Sequence, residues 1–124
     1  MRFAGRAGGV SDLVGEKLHE DHVAEVLGGR GFLVAAPARP GYDLWLVDVS
    51  AAAEIEGLLK SNPYFEQALA LRQLPPLVVR RLPDDWWVRL TGALAGHRGC
   101  RLGDVKPPVL ITRESPEEVA SWLD

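Results

Sequence analysis

Two of the three lysines in this chain stand where the backbone is confined. Lysine carries a compact, strongly hydrated point charge, suited to meeting a phosphate or a carboxylate. Lys106 lies in "RLGDVKPPVLIT", residues 101–112, between Asp104 and a pair of prolines. Pro107 locks its own φ and biases Lys106 toward an extended backbone, and Pro108 does the same one residue on. The expectation is a nearly fixed Cα carrying a mobile side chain, so that less entropy is lost when the ammonium finds an anion. Lys17 follows "VGE" at the seam between an expected strand and an expected helix. Glu16 and Glu20 flank it and are expected to hold its ammonium through charge-assisted contacts. Lys60 ends an amphipathic helix and reads as an ordinary solvated end charge. The plain alternative for Lys17 and Lys106 is a surface lysine whose ion pairs contribute little. Charges on loops held by rigid elements are where function concentrates, which is what singles these two out.

Other chemistry is harder to assemble. Neither G-x-x-x-x-G-K-[ST] nor G-x-G-x-x-G occurs, and "GRAGG" reads as turn chemistry. His19 and His22 stand three apart with Glu16 and Glu20 nearby, and His97 precedes Cys100 by three. A structural zinc wants four ligands in paired short spacings, and these pairs are mismatched, so an exposed helix face and a loop is the better reading. No Ser/His/Asp or Cys/His nucleophile assembly is legible. Trp45 falls in a strand, Trp87 and Trp122 on expected buried stripes, leaving Trp86 as the tryptophan expected at the surface.

The elements that must position the lysines follow from the pattern. The 124 residues suit one domain, residues 1–124, of 47% hydrophobic and 25% charged composition. A net charge of −3, with basic residues dispersed among acidic ones, predicts no nucleic-acid partner and no membrane partner. The opening "MRFAGRAGG" has no apolar h-region, and a single cysteine suits a reducing compartment, so a cytoplasmic location is expected.

Residues 2–14 are expected to form a hairpin. "GEKLHEDHVAEVLGG" reads as a helix, with Leu18, Val23, Val26 and Leu27 on one face and Gly28-Gly29 as its stop. "GFLVAA" and "YDLWLVDV" read as strands. Ser50 is expected to cap a helix with Ala52, Ile55, Leu58 and Leu59 inward, and Asn62-Pro63 to cap and start the next. "LVVRRL" and "PVLIT" read as strands around a helix opened by Asp84-Asp85 and closed by Gly96, with Trp87, Leu90 and Leu94 as its stripe. In "SPEEVASWL", Ser115 and Glu118 form a capping box. The fold class expected is α+β, a small two-layer sandwich with helices packed on one face of a mostly antiparallel sheet.

Three blocks, "RFAGRAGGVSDLVGEKLHEDHV", "NPYFEQALALRQLPPLVVRRLP" and "RGCRLGDVKPPVLI", occur in this order over nearly the whole chain. Together they resemble the C-terminal part of the Gretchen Hagen family of acyl-acid amido synthetases, the auxin-responsive adenylating enzymes and their bacterial relatives. Glu16-Lys17-Leu18-His19-Glu20 looks like the family's D/E-K-x-x-E motif, and the segment around Lys106 like its QxKxPR segment. The resemblance implies ATP-dependent activation of a carboxylic acid to an acyl-adenylate, then attack by an amine, typically of an amino acid, with Mg2+ as the accompanying ion.

It also implies a large N-terminal domain that binds ATP and the acyl group, acting in cis or in trans, and a small C-terminal lid that swings between two poses. On this chain, residues 1–17 would be hinge and hairpin, with Gly5 and Arg6 at the pivot, while Lys17 and Lys106 would be the catalytic and nucleotide-contacting residues. The chain departs from the family where Pro108-Val109 stands in place of proline-arginine. The chain by itself is expected neither to hydrolyse ATP nor to adenylate. The competing expectations are a non-catalytic interaction module derived from that domain and, remotely, a small metal-binding protein.

Overall fold

Glycines with left-handed backbone end two of the helices, Gly28 at φ 55° and Gly99 at φ 69°, and the chain builds a sheet with helices on both faces. The computed structural model describes residues 10, 11, 13, 16, 18–37, 40–99 and 109–123. In chain order the elements are β1 (Val10–Ser11), β2 (Leu18–His19), α1 (Glu20–Leu27), β3 (Gly31–Ala35), β4 (Tyr42–Leu46), a 3-10 turn (Val49–Ala51), α2 (Ala52–Leu59), α3 (Pro63–Ala70), β5 (Val78–Arg81), α4 (Trp86–Arg98), β6 (Leu110–Ile111) and α5 (Pro116–Leu123).

The four-stranded sheet runs β5-β4-β3-β6 and is mixed. Only its central pair is antiparallel, with Leu33 opposite Leu44; β5 runs parallel to β4, and β6 parallel to β3. The expected mostly antiparallel sheet is therefore corrected. Helices α2 and α3 intervene between β4 and β5, and a chain that returns through a helix re-enters the sheet in the same direction. β1 and β2 form a separate antiparallel ladder, Val10 opposite His19 and Ser11 opposite Leu18.

The two-layer expectation is corrected as well. Leu33, Ala35, Tyr42, Leu44 and Leu46 face a core built with α1, α2 and α3, in which Leu27, Ile55, Leu59 and Phe65 are fully buried. Phe32, Val34 and Trp45 face a second core with Leu90 and Leu94 of α4 and Val119 and Leu123 of α5. Every residue of β3 and β4 is buried, because period-two alternation delivers successive side chains to two covered faces.

Local signals hold up well. Asn62 Oδ1 accepts from the backbone N–H of Tyr64 (2.9 Å) and Phe65 (3.3 Å) to cap α3. In α5 the Ser115 N–H donates to Glu118 Oε1 (3.0 Å) and the Glu118 N–H to Ser115 Oγ (3.1 Å), the expected reciprocal box. Five details differ. Leu18 lies in β2 rather than on α1, though it is buried as expected. Asp48, not Ser50, caps the turn into α2, its carboxylate accepting from the Ser50 N–H at 3.0 Å, and Leu58 is exposed. α4 runs through Gly96 to Arg98. Finally, Trp86 rather than Trp87 joins the stripe with Leu90 and Leu94, because Phe32 meets it at 5.8 Å, while Trp87 is 55% exposed.

Candidate functional site

Lys17, Lys106, Gly5 and Arg6 lie outside the described residues, as does Cys100. Their described neighbours show how the lysine segments are anchored. Glu16 and Leu18, the covalent neighbours of Lys17, are both fully buried.

A carboxylate withdrawn from water needs donors, and Glu16 receives one from its own turn and one from a distant strand. The Leu13 N–H donates to both of its oxygens, at 3.0 and 2.9 Å. The hydroxyl of Tyr42, first residue of β4, donates a short hydrogen bond to Oε2. Asn62 Nδ2 donates to the Glu16 carbonyl oxygen at 2.9 Å, while the other end of the same amide caps α3. The Tyr42 ring is itself held edge-on against Phe65 in the first turns of α3. The carboxylate expected to brace the Lys17 ammonium is thus engaged, among the described residues, by Leu13 and Tyr42.

The second segment is tied to the same core. Beyond Pro108, the Val109 carbonyl accepts from the Leu33 N–H at 2.8 Å, splicing the chain onto β3. Val109 packs against the cluster that contains Leu110, and Leu18 belongs to that same cluster. Residues one after Lys17 and three or four after Lys106 therefore share a hydrophobic anchor, and three extended residues span at most about 11 Å.

The histidines resolve into two settings. His19 and His22 line a cleft of about 390 Å³ with Glu25, Ser61 and Asn62, next to the Glu16 carbonyl. There His22 Nε2 lies 3.2 Å from Ser61 Oγ, which also donates to the Leu58 carbonyl. His97 stands 3.9 Å from Glu114 and 3.7 Å from Glu118, its ring 5.5 Å from that of Trp122. Beside it Arg98 grips buried Glu114 with two bonds, Nε to Oε2 at 2.9 Å and Nη2 to Oε1 at 2.8 Å. The Arg98 hydrogen bonds hold the Glu114 carboxyl below its ordinary range, against the opposing effect of burial. Glu114 also lines a cleft of about 560 Å³ between Ala36-Pro37 and the start of α5. Among the described residues, no group of three His, Cys, Asp or Glu side chains stands where it could hold a metal ion, and no helix is long and apolar enough to cross a membrane.

Read from the sequence, Glu16 is only a surface partner of Lys17, and nothing marks Tyr42 and Asn62 as its supports. The signal for the buried role is weak: an acid between Gly15 and a lysine with Leu13, Val14 and Leu18 close by, and an Asn-Pro start whose amide has a second end to offer.

No family model matches the chain, and no curated protein and no solved structure matches it.

Proposed function

We propose that this chain is the C-terminal lid of an ATP-dependent acyl-acid amido synthetase, acting with an adenylation domain supplied in cis or in trans. The reading starts from the resemblance of the Glu16-Lys17 and Lys106-Pro107 segments to the Gretchen Hagen family. The observation that carries it is the shared anchor: Leu18 beside Lys17, and Val109-Leu110 beyond Lys106, join one cluster on the α1 side of the sheet. Neighbouring segments tied to one core can move to an active site together and leave it together.

In this reading ATP and Mg2+ are bound mainly by the partner domain, which also selects the carboxylic acid. The chain contributes charge. Adenylation places extra negative charge on the α-phosphate and the departing pyrophosphate, and a preorganised donor aimed at such charge is worth about 10²–10³ in rate. Delivering it on a moving domain lets the cation leave before the amine attacks. Location in the cytoplasm, where ATP is available, belongs to the same proposal.

The test is ATP–pyrophosphate exchange by the chain joined to its adenylation domain. Lys106→Ala is expected to lower adenylation by about 10²-fold with the fold unchanged. Exchange at the wild-type rate would return Lys106 to solvated surface. The runner-up, a non-catalytic interaction module, would then stand, since Trp87 and Val88 of α4 are 55% and 70% exposed and offer an apolar contact.

A further inference from the structure

From the outer edge of the sheet we infer that β5 is a docking strand, which takes an extended, acidic segment of a partner protein as a further strand. The inference goes beyond the lid reading and uses none of its residues.

β5 is an outermost strand of the order β5-β4-β3-β6. Its pairing with β4 decides which of its backbone groups remain for a partner. The Leu82 N–H donates to the Leu46 carbonyl at 2.8 Å, and Arg81 stands opposite Leu46 in a parallel register. Residues that bond toward one neighbour alternate along a parallel strand, so Val78, Arg80 and Leu82 bond inward to β4. Val79 and Arg81 therefore turn their N–H and C=O groups outward, and among the described residues no backbone partner meets them there. The two sets lie roughly 6.6 Å apart, the two-residue repeat of a strand. That is the template on which an extended segment adds to a sheet. Pro76 and Pro83 bracket the strand and limit the ladder to the residues between them.

The side chains select the occupant. Val78 and Val79 are 40% and 41% exposed, and two arginines follow them. Val79 lines a small cleft of about 130 Å³ with Ala52, Ala53 and Glu56 of α2, room for one apolar side chain of an added strand. Arg80 bonds to Asp43 through Nε at 3.1 Å and lies over the Trp45 ring, and its side chain is still 37% exposed. Arg81 is exposed, and the acid whose charge it feels, Asp48, is already engaged by the Ser50 N–H and hydroxyl at 3.0 and 2.6 Å. A second copy of β5 is a poor complement. The twofold register that pairs Val79 with Arg81 sets Arg80 against Arg80, and like charges directly opposite destabilise a ladder. Sliding by two residues either sets Arg81 against Arg81 or leaves each arginine facing an apolar residue. The chain's own opening, "MRFAGRAGG", carries two arginines and no acid. A strand with two adjacent acids beside two apolar residues matches all four positions.

The test titrates the isotope-labelled chain, followed by amide NMR, with the peptide acetyl-Thr-Glu-Glu-Val-Val-Thr-amide and with its counterpart carrying lysines in place of the glutamates. Laid antiparallel to β5, the glutamates fall opposite Arg81 and Arg80 and the valines opposite Val79 and Val78. The amide signals of Val79 and Arg81 are expected to move most and their hydrogen exchange to slow, because these N–H groups gain acceptors. The lysine peptide should bind about tenfold more weakly, as two attractive pairs become repulsive. Val79→Pro removes an outward donor that the β4 ladder does not use, and should abolish binding while the Leu44 and Leu46 amide signals stay in place. Arg81→Glu leaves the backbone untouched and keeps the idea testable if the proline variant folds poorly. It exchanges one pair's sign, so the preference between the two peptides should vanish. Four results would overturn the inference: no movement of the Val79 and Arg81 amides at millimolar peptide, shifts centred on Trp87 and Val88 of α4 instead, equal affinity for the two peptides, or a preference that survives Arg81→Glu. Signals of β5 that move with protein concentration alone would seat a second copy there and overturn it as well.

Discussion

Replacing Arg98 with methionine isolates a two-bond ion pair with a buried carboxylate, Arg98–Glu114. The Glu114 side chain is 1% exposed and that of Arg98 21%, and two short charge-assisted bonds join them. Methionine keeps the apolar stem of arginine and removes only the guanidinium. The cost comes chiefly from the carboxylate left behind, which stays out of water with its best donors gone. Breaking a buried pair in this way typically costs about 3–5 kcal/mol. His97 at 3.9 Å and the nearby charge of Arg113 soften the loss here, which puts Arg98→Met near ~3 kcal/mol.

For a domain of this size that corresponds to a fall in Tm of about 10–15 °C. The double variant Arg98→Met/Glu114→Leu should recover most of it, because no orphaned charge remains. Urea unfolding at pH 7 measures both. A second signature lies in the pH dependence. Glu114 is held below its ordinary 4.5 in the folded wild type, so its contribution is complete above that value and is lost as the pH falls through the lowered one. Without Arg98, the opposing effect of burial raises the folded value, so acidification should stabilise the variant in the window above 4.5, between the raised folded value and the ordinary one, and not below it. A single-variant cost below about 1 kcal/mol, or a double variant no better than the single, would refute the reasoning.

Two further substitutions probe the sheet and the α4 stripe. A Cβ at Gly31 would lie 1.8 Å from the Trp45 carbonyl oxygen and 2.9 Å from its carbon, both backbone atoms of the paired strand. Gly31→Ala should therefore cost more than about 4 kcal/mol, seen as loss of soluble protein or of a cooperative melt. An ordinary melt would show that the β3–β4 pairing yields more easily than its geometry indicates. Trp86→Ala should cost about 3 kcal/mol through lost packing on Phe32, whereas Trp87→Ala should stay within about 0.5 kcal/mol. The reverse order in urea unfolding would restore the i, i+3, i+7 stripe that the sequence suggests.

Signals that need only a few consecutive residues are legible in the sequence alone. The stop at Gly28, the Asn62-Pro63 start of α3 and the Ser115–Glu118 box each satisfy backbone groups within three or four positions, and each is found where expected. The strands β3 and β4 are equally plain, as runs of apolar and aromatic residues bounded by turn formers. Their layering is not. A run that is apolar on both faces, broken in β4 only by Asp43, is the mark of a strand covered on both sides, yet only the return of the chain through α2–α3 and α4 determines that helices supply both covers and that the outer pairings are parallel. The Trp86–Trp87 reversal has the same origin, since both fit a helical face and the choice belongs to Phe32, more than fifty residues away. Glu16 shows the limit most sharply. Next to a lysine it reads as a surface acid, yet it is buried: beside the Leu13 N–H, Tyr42, 26 residues on, donates to its carboxylate, and Asn62, 46 residues on, donates to its backbone carbonyl. Backbone preferences and caps are local energies written in adjacent residues; burial, partner choice and strand direction are set by contacts between segments that meet only when the whole chain has folded.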